Sequence, residues 1–316
     1  MATTTLKLQP ALAARKPLVA DASMLGVAII WGFTFPMVKD AVTGFPVFTF
    51  LAIRFAIAAA ALVFLTWRLM RAVPAKWALF ALAAGLVNFS GFALQTYGLQ
   101  TVSPGRTAFI TGLYGAMVPF MMAFIGRGRI TRPVWAAISL SVLGLACLFW
   151  QDLALSISSG DILVVLCAVA FAAQIVMVGF FPKELDPRPL ATFQAVACFG
   201  AAALFAVLVD RPLPAVPLNT LSAAAFTGIL ATALALLVQT WAQRHTPTSH
   251  AALIFCTEPV WGALAGLALF GEVFTPMAIL GCTLMLLGMM APDLAGAVRN
   301  LTLRRAASQP FGLPAR

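Results

Sequence analysis

Ten mostly apolar stretches, at approximately 20–38, 46–67, 77–99, 104–126, 133–151, 160–181, 190–209, 219–243, 247–270 and 275–294, are separated along the chain by short polar segments. Each is close to the roughly 20 residues that a helix needs to cross the hydrocarbon core of a bilayer. Strands of a membrane barrel would alternate apolar and polar positions in segments of about ten residues, and these runs are continuous. The pattern predicts an all-α membrane protein with ten transmembrane helices. Lys7, Arg15 and Lys16 precede the first run in the manner of a signal peptide, but the length of that run and the further runs behind it predict an uncleaved first helix.

The chain also repeats itself. At an offset of 144, LQTYGLQTVSPGRTAFITGLYG from Leu94 aligns with VQTWAQRHTPTSHAALIFCTEP from Val238. Gln95 falls on Gln239, Thr96 on Thr240, Tyr97 on Trp241 and Arg106 on His250; at an offset of 140, Asp21 falls on Asp161 and Trp31 on Phe171. Two five-helix repeats are expected, at 20–151 and 160–294, joined by an outside loop at 152–159 and flanked by a cytoplasmic segment at 1–19 and a basic cytoplasmic tail at 295–316. An odd number of crossings per half makes the second half enter from the opposite side, giving an inverted-topology repeat. Such repeats underlie many secondary transporters, with the binding site near the midplane between the halves.

Composition strengthens this picture. Of 316 residues, 62% are hydrophobic and 9% charged, with mean hydropathy +0.98, where a soluble domain carries roughly 25% charged residues. The net charge of +10 does not point to nucleic acid, because the basic residues are spread over separate short loops. With a cytoplasmic N-terminus, the inside segments hold Lys7, Arg15, Lys16, Arg68, Arg71, Lys76, Arg127, Arg129, Arg132, Lys183, Arg188, Arg244, Arg299, Arg304, Arg305 and Arg316. Only Lys39, Arg106 and Arg211 fall outside, so the positive-inside rule predicts both termini in the cytoplasm. Cys147, Cys167, Cys198, Cys256 and Cys282 stand singly in apolar segments without ligand spacing, and read as packing residues rather than disulfides or a metal site.

Polar groups inside these spans are the candidates for chemistry. Glu258 lies about eleven residues into its run, roughly 16 Å deep at about 1.5 Å per residue, where a charge costs at least about 2.5 kcal/mol. It is a candidate to exchange a proton, to hold an ammonium group, or to secure a kinked helix as a hydrogen-bonded carboxyl. Arg54 can attract a substrate carboxylate, pair with Glu258 or snorkel to the interface. Gln95 and Gln239 are matched polar groups in opposed helices, and Asn88 and Gln174 are weaker versions of them. Trp31, Phe33, Tyr114 and Trp241 are candidates for an apolar lining, with Tyr97 and Trp241 also suited to an interfacial belt. Pro36, Pro119 and Pro259 each remove a backbone donor and mark candidate kinks. Arg106 and His250 open equivalent helices on opposite sides, at cavity mouths or as helix-end anchors.

WGFTFPMVK in the first run, TAFITGLYGAMVPFMMAF in the fourth and AALIFCTEPVWGALAGLALFGEVFTPMAILGCTLMLLG across the last two resemble the drug/metabolite transporter superfamily, specifically its ten-helix EamA-like members, from about 21 to 292. The resemblance implies a ten-helix bundle with a central cavity and export of small metabolites, commonly amino acids or related compounds. The chain departs from the common pattern at Tyr114-Gly115, where many relatives carry proline, and at Arg127-Gly128, opposite Gly271-Glu272. The expected function is an inner-membrane transporter of a small amphipathic metabolite, working by alternating access with or without proton coupling. A lipophilic drug or sugar-conjugate transporter fits the same bundle, and an intramembrane enzyme or a membrane sensor is a different class. No HExxH, GxSxG or GxxxxGKS occurs, so no catalytic residue, cofactor or metal is expected. The expected partners are the lipid bilayer and a small-molecule substrate, not nucleic acid.

Overall fold

A computed structural model of the chain describes residues 5–148, 150, 157–212, 215–270 and 275–307. Among them every regular element is helical, as lipid requires, because a lipid-facing backbone must satisfy its hydrogen bonds within its own segment. The order is α1 (Thr5–Val42), α2 (Val47–Met70), α3 (Ala75–Thr101), α4 (Pro104–Gly112), α5 (Tyr114–Phe124), α6 (Arg132–Leu148), α7 (Ser159–Gly179), α8 (Arg188–Val209), α9 (Leu218–Gly228), a π-helical turn (Ile229–Leu234), α10 (Ala235–Ala242), α11 (Thr248–Phe255), α12 (Glu258–Phe270) and α13 (Pro276–Ala307).

Among the described residues seven helical stretches are long and apolar enough to span a bilayer, with α4–α5 and α9–α10 each forming one of them; Arg132–Leu148 and Pro276–Pro292 are shorter apolar helices. The remaining pass is α11 and α12, split at Cys256 and Thr257. Helix starts follow local chemistry. Proline, which lacks a donor, precedes α2, α3, α9 and α11 at Pro46, Pro74, Pro217 and Pro247. Ser158 caps α7 in a reciprocal capping box with Asp161. Gly44 and Gly126 reverse the chain at φ 74° and 70°, where a Cβ would be strained. Large apolar side chains turn outward, including Phe64 at 82% and Phe124 at 93% exposure, a surface suited to lipid rather than water.

The packing maps onto itself when the halves are exchanged. A Cβ on Gly115 would meet Cys256 Cβ at 2.6 Å, and one on Gly112 would meet Pro259 Cγ at 3.1 Å. The same shift of 144 turns the first contact into the second. Likewise a Cβ on Gly144 would meet the carbonyl of Gly281 at 2.7 Å, and one on its mate Gly288 would meet the carbonyl of Ala137 at 3.0 Å. Small residues let these backbones touch, as membrane helix interfaces commonly require. At the level of whole helices, α2 packs on α8 and α6 on α13; α3 packs on α7 as α1 does on α10, and α1 packs on α12 as α7 does on α5.

Helix continues through two of the expected flanking segments. The segment 1–19 is largely helical, since α1 begins at Thr5, and residues 295–307 of the expected tail continue α13. Ala, Leu and Arg are good helix formers, so charge marks where lipid ends without ending the helix. Of the expected loop 152–159 only residues 157–159 are described, with α7 already begun at Ser159; Glu272 and residues 308–316 lie outside the described residues.

Candidate functional site

At the crossing of α4–α5 and α11–α12, both passes break at equivalent positions. Pro259 has no N–H to give the carbonyl of Phe255, and the ladder tightens to three-residue bonds, Thr257 N donating to Ile254 O at 3.1 Å and Val260 N to Thr257 O at 2.9 Å. In the other half the break falls at Leu113, whose N–H donates to Ile110 O at 3.2 Å, while Ala116 N donates to Leu113 O at 3.0 Å. Pro119 therefore lies inside α5, six residues after its break, and Pro36 lies inside the uninterrupted α1. The two breaks face each other. Cys256 Sγ donates to Gly112 O at 3.2 Å, and Tyr114 Oη donates to Glu258 Oε2 at 3.2 Å. Both bonds join residues that are equivalent in the two repeats.

Glu258 is buried and opens α12, where the unpaired N–H groups of a helix start favour a negative group. It lines a cavity together with Trp31, Thr34, Phe35 and Val38 of α1, Arg54 of α2, Asn88, Phe92, Gln95 and Leu99 of α3, and Tyr114 of α5. Phe171, Gln174 and Ile175 of α7, Ala231 and Thr232 of the π turn, and Leu236 and Gln239 of α10 complete the wall. Both repeats contribute to it.

Arg54 is 3% exposed, so it does not snorkel. Its Nε donates to Thr232 Oγ1 at 2.9 Å, and its guanidinium carbon sits 4.4 Å from the Phe92 ring centre, a cation–π distance. No carboxylate among the described residues forms an ion pair with it; Glu258 lines the same cavity but bonds Tyr114 instead. The π turn, a distortion often found at functional sites, positions the opposite wall. Thr232 Oγ1 donates to Thr227 O five residues back at 2.9 Å, and Trp31 Nε1 reaches Ala231 O at 2.8 Å.

The matched glutamines are used differently. Gln239 Nε2 donates to Gln174 Oε1 at 3.0 Å, and Gln174 Nε2 donates to Gln194 Oε1 at 2.8 Å, a chain between α10, α7 and α8. Gln95 Nε2 makes a longer bond to Thr111 Oγ1 at 3.3 Å. Among the described residues no three His, Cys, Asp or Glu side chains cluster as a metal site, and the five cysteines are free thiols.

Glu258, Arg54, Gln95, Gln239, Trp31 and Tyr114 thus share one cavity, while Phe33 and Trp241 are not among its lining residues. Helical phase accounts for both. Trp31, Thr34, Phe35 and Val38 form an i, i+3, i+4, i+7 face that leaves Phe33 on another side, and Thr232, Leu236 and Gln239 do the same to Trp241. Trp241 instead lies 4.9 Å from the His245 ring. The same phase test, applied along each helix from Trp31, Gln95 and Gln239, is the signal that would have found Thr34, Phe92 and Thr232. The arrangement offers a small molecule one cationic and one carboxyl group between aromatic walls.

Comparison with known proteins agrees with a transport role. The chain is 30% identical over 279 residues to an uncharacterized transporter of Archaeoglobus fulgidus, covering 88% of this chain and 87% of the relative. It is 26% identical over 289 residues to the uncharacterized transporter YyaM of Bacillus subtilis, covering 87% and 93%. A solved crystal structure superposes with TM-score 0.71 at 17% identity, covering 88% of this chain and 97% of its own, a likeness of fold. The EamA-like transporter family matches twice, over residues 18–150 and 158–291, and the chain belongs to that family as a multi-pass membrane transporter, not an enzyme.

Proposed function

We propose that the chain exports a small amphipathic metabolite, an amino acid or related compound, across the inner membrane by alternating access between two inverted five-helix repeats. Arg54 holds the anionic end of the substrate. Glu258, steadied by Tyr114, holds its ammonium group or exchanges a proton with it, and Trp31, Phe92 and Phe171 enclose the apolar part. Both termini face the cytoplasm in this reading, on the strength of the basic inside segments.

The observation that carries the proposal is a buried guanidinium and a buried carboxyl in one cavity, built by both repeats, that do not pair with each other. Burying an unpaired charge is costly and is tolerated in membrane proteins chiefly where a substrate or ion uses it. An uncharged lipophile would leave both groups unanswered, and a lipophilic cation would leave Arg54 so. The test is a metabolite profile of medium from cells overexpressing the protein beside cells lacking it, followed by flux of the enriched compound in proteoliposomes. Enrichment of a zwitterion or amphipathic acid supports the reading, and enrichment only of uncharged or cationic lipophiles refutes it.

A further inference from the structure

Among the charged contacts of the described residues outside the cavity, two are images of each other, the second an ion pair when its histidine is protonated. Arg106, in the first turn of α4, holds Asp161, in the first turn of α7, with Nε 2.6 Å from Oδ1 and Nη2 2.9 Å from Oδ2. His250, in the first turn of α11, has Nε2 3.7 Å from Oδ2 of Asp21 in α1. The offset of 144 that carries Arg106 to His250 and the offset of 140 that carries Asp21 to Asp161 convert one pair into the other. Each pair joins the first repeat to the second.

Their places in the fold are also equivalent. Gly115 meets Cys256 and Gly112 meets Pro259, so the fourth and ninth passes run antiparallel, and their starts lie at opposite ends of the bundle. Arg106 is eight residues before Tyr114 and His250 eight before Glu258, about 12 Å to either side of the bond between those two at about 1.5 Å per residue. All four side chains are at most 24% exposed, far from freely solvated surface charges.

We infer that Arg106–Asp161 and His250–Asp21 are the two gates of the carrier, each closing one end of the central cavity and each breaking as its own end opens. This rests on the alternating-access reading. With both pairs made, the structure has both gates shut. The gates are unequal. Asp161 receives the two-pronged guanidinium together with Ser158 N at 2.7 Å and Ser158 Oγ at 2.9 Å. Asp21 has one longer contact to His250 and a bond from Thr246 Oγ1 at 2.6 Å. A bidentate charge-assisted pair is the stronger of the two, so the empty carrier opens more readily at the His250 end.

The test places a single cysteine at Thr34, on the cavity wall, in the full chain freed of its native cysteines, and measures its labelling by a membrane-impermeant thiol reagent. Vesicles of both orientations expose each end in turn. Labelling of the parent should be faster from the His250 end. Asp161→Asn should raise the rate from the Arg106 end several-fold without raising the other, and Asp21→Asn should do the reverse. Arg106→Gln, which breaks the pair but leaves the Ser158–Asp161 cap in place, should raise the rate from the Arg106 end in the same way, and it decides the matter should Asp161→Asn fail to fold. Unchanged rates in the neutralised variants, or equal rises at both ends, would overturn the gates while leaving a carrier intact. No labelling from either end in any variant would overturn the carrier reading as well.

Discussion

Replacing Glu258 by glutamine separates function from folding, because the substitution changes charge with almost no change of shape. Glutamine keeps an oxygen for the Tyr114 hydroxyl, now 3.2 Å from Glu258 Oε2. That bond would fall from the range of about 1.5–3 kcal/mol for a charged partner to about 0.5–1.5 kcal/mol for a neutral one, a loss near 1 kcal/mol. Losing a negative group at the start of α12 removes roughly 0.3–1 kcal/mol more. Against these stands relief of at least about 2.5 kcal/mol for a carboxylate at this depth. The sum is close to zero or mildly stabilising, and it is also near zero if the carboxyl is protonated to begin with. Glu258→Gln should therefore insert normally and melt at or above the parental temperature, yet lose uptake driven by an imposed pH gradient in proteoliposomes. Undiminished gradient-driven flux would refute the role of Glu258 as proton carrier, and a collapse of thermal stability would show it to be a structural carboxyl.

Three further outcomes are expected. Arg54→Met removes a buried charge that has no carboxylate partner among the described residues, so stability should hold while binding of the exported compound, read from quenching of tryptophan fluorescence, is lost; Arg54→Lys should not rescue it, because an ammonium cannot reproduce the planar fork over Phe92 and against Thr232. Gly32→Val puts a Cβ 2.6 Å from Gly262 N and 2.9 Å from Glu258 O, overpacking worth about 1–3 kcal/mol, and should lower the melting temperature by several degrees, while Gly26→Ala, with nothing within 4 Å, should not. In the loop before α8, the Arg188 guanidinium bonded to Asp186 at 2.5 Å holds the Asp186 carboxyl below its usual range. That pair stabilises above the unfolded carboxyl value of about 3.9 and stops doing so as pH falls through the lower folded value; being exposed it is worth at most about 1 kcal/mol, so Asp186→Asn and the parent should differ slightly at neutral pH and converge in acid.

The spans were legible because lipid imposes a long apolar run, and the repeat because its matched residues kept their spacing. Arg54, Gln95, Gln239 and Glu258 stood out as polar groups among apolar neighbours, a signal that owes nothing to tertiary contact. Thr34, Phe92 and Thr232 carried no such signal, being ordinary residues of membrane helices, and only their phase relative to Trp31, Gln95 and Gln239 on their own passes sets them apart. The π turn at Ile229–Leu234 was invisible for a different reason: its sequence, ILATAL, has neither proline nor glycine. It is held by Thr232 and by the indole of Trp31, which is 200 residues away. The helical extent of 5–19 and 295–307 escaped because hydropathy reports the bilayer boundary and not the end of the helix. Arg106 and His250 were matched with each other in the sequence, and Asp21 with Asp161, but that these matches cross over into an Arg–Asp and a His–Asp contact needed three dimensions.

The most direct measurement of the central idea, a site between two repeats that faces one side at a time, is counterflow. Proteoliposomes preloaded with the exported compound should take up labelled compound faster than empty ones, saturably, with the stimulation absent in Arg54→Met. Uptake that is linear in concentration and indifferent to compound on the far side would contradict a carrier and describe a pore.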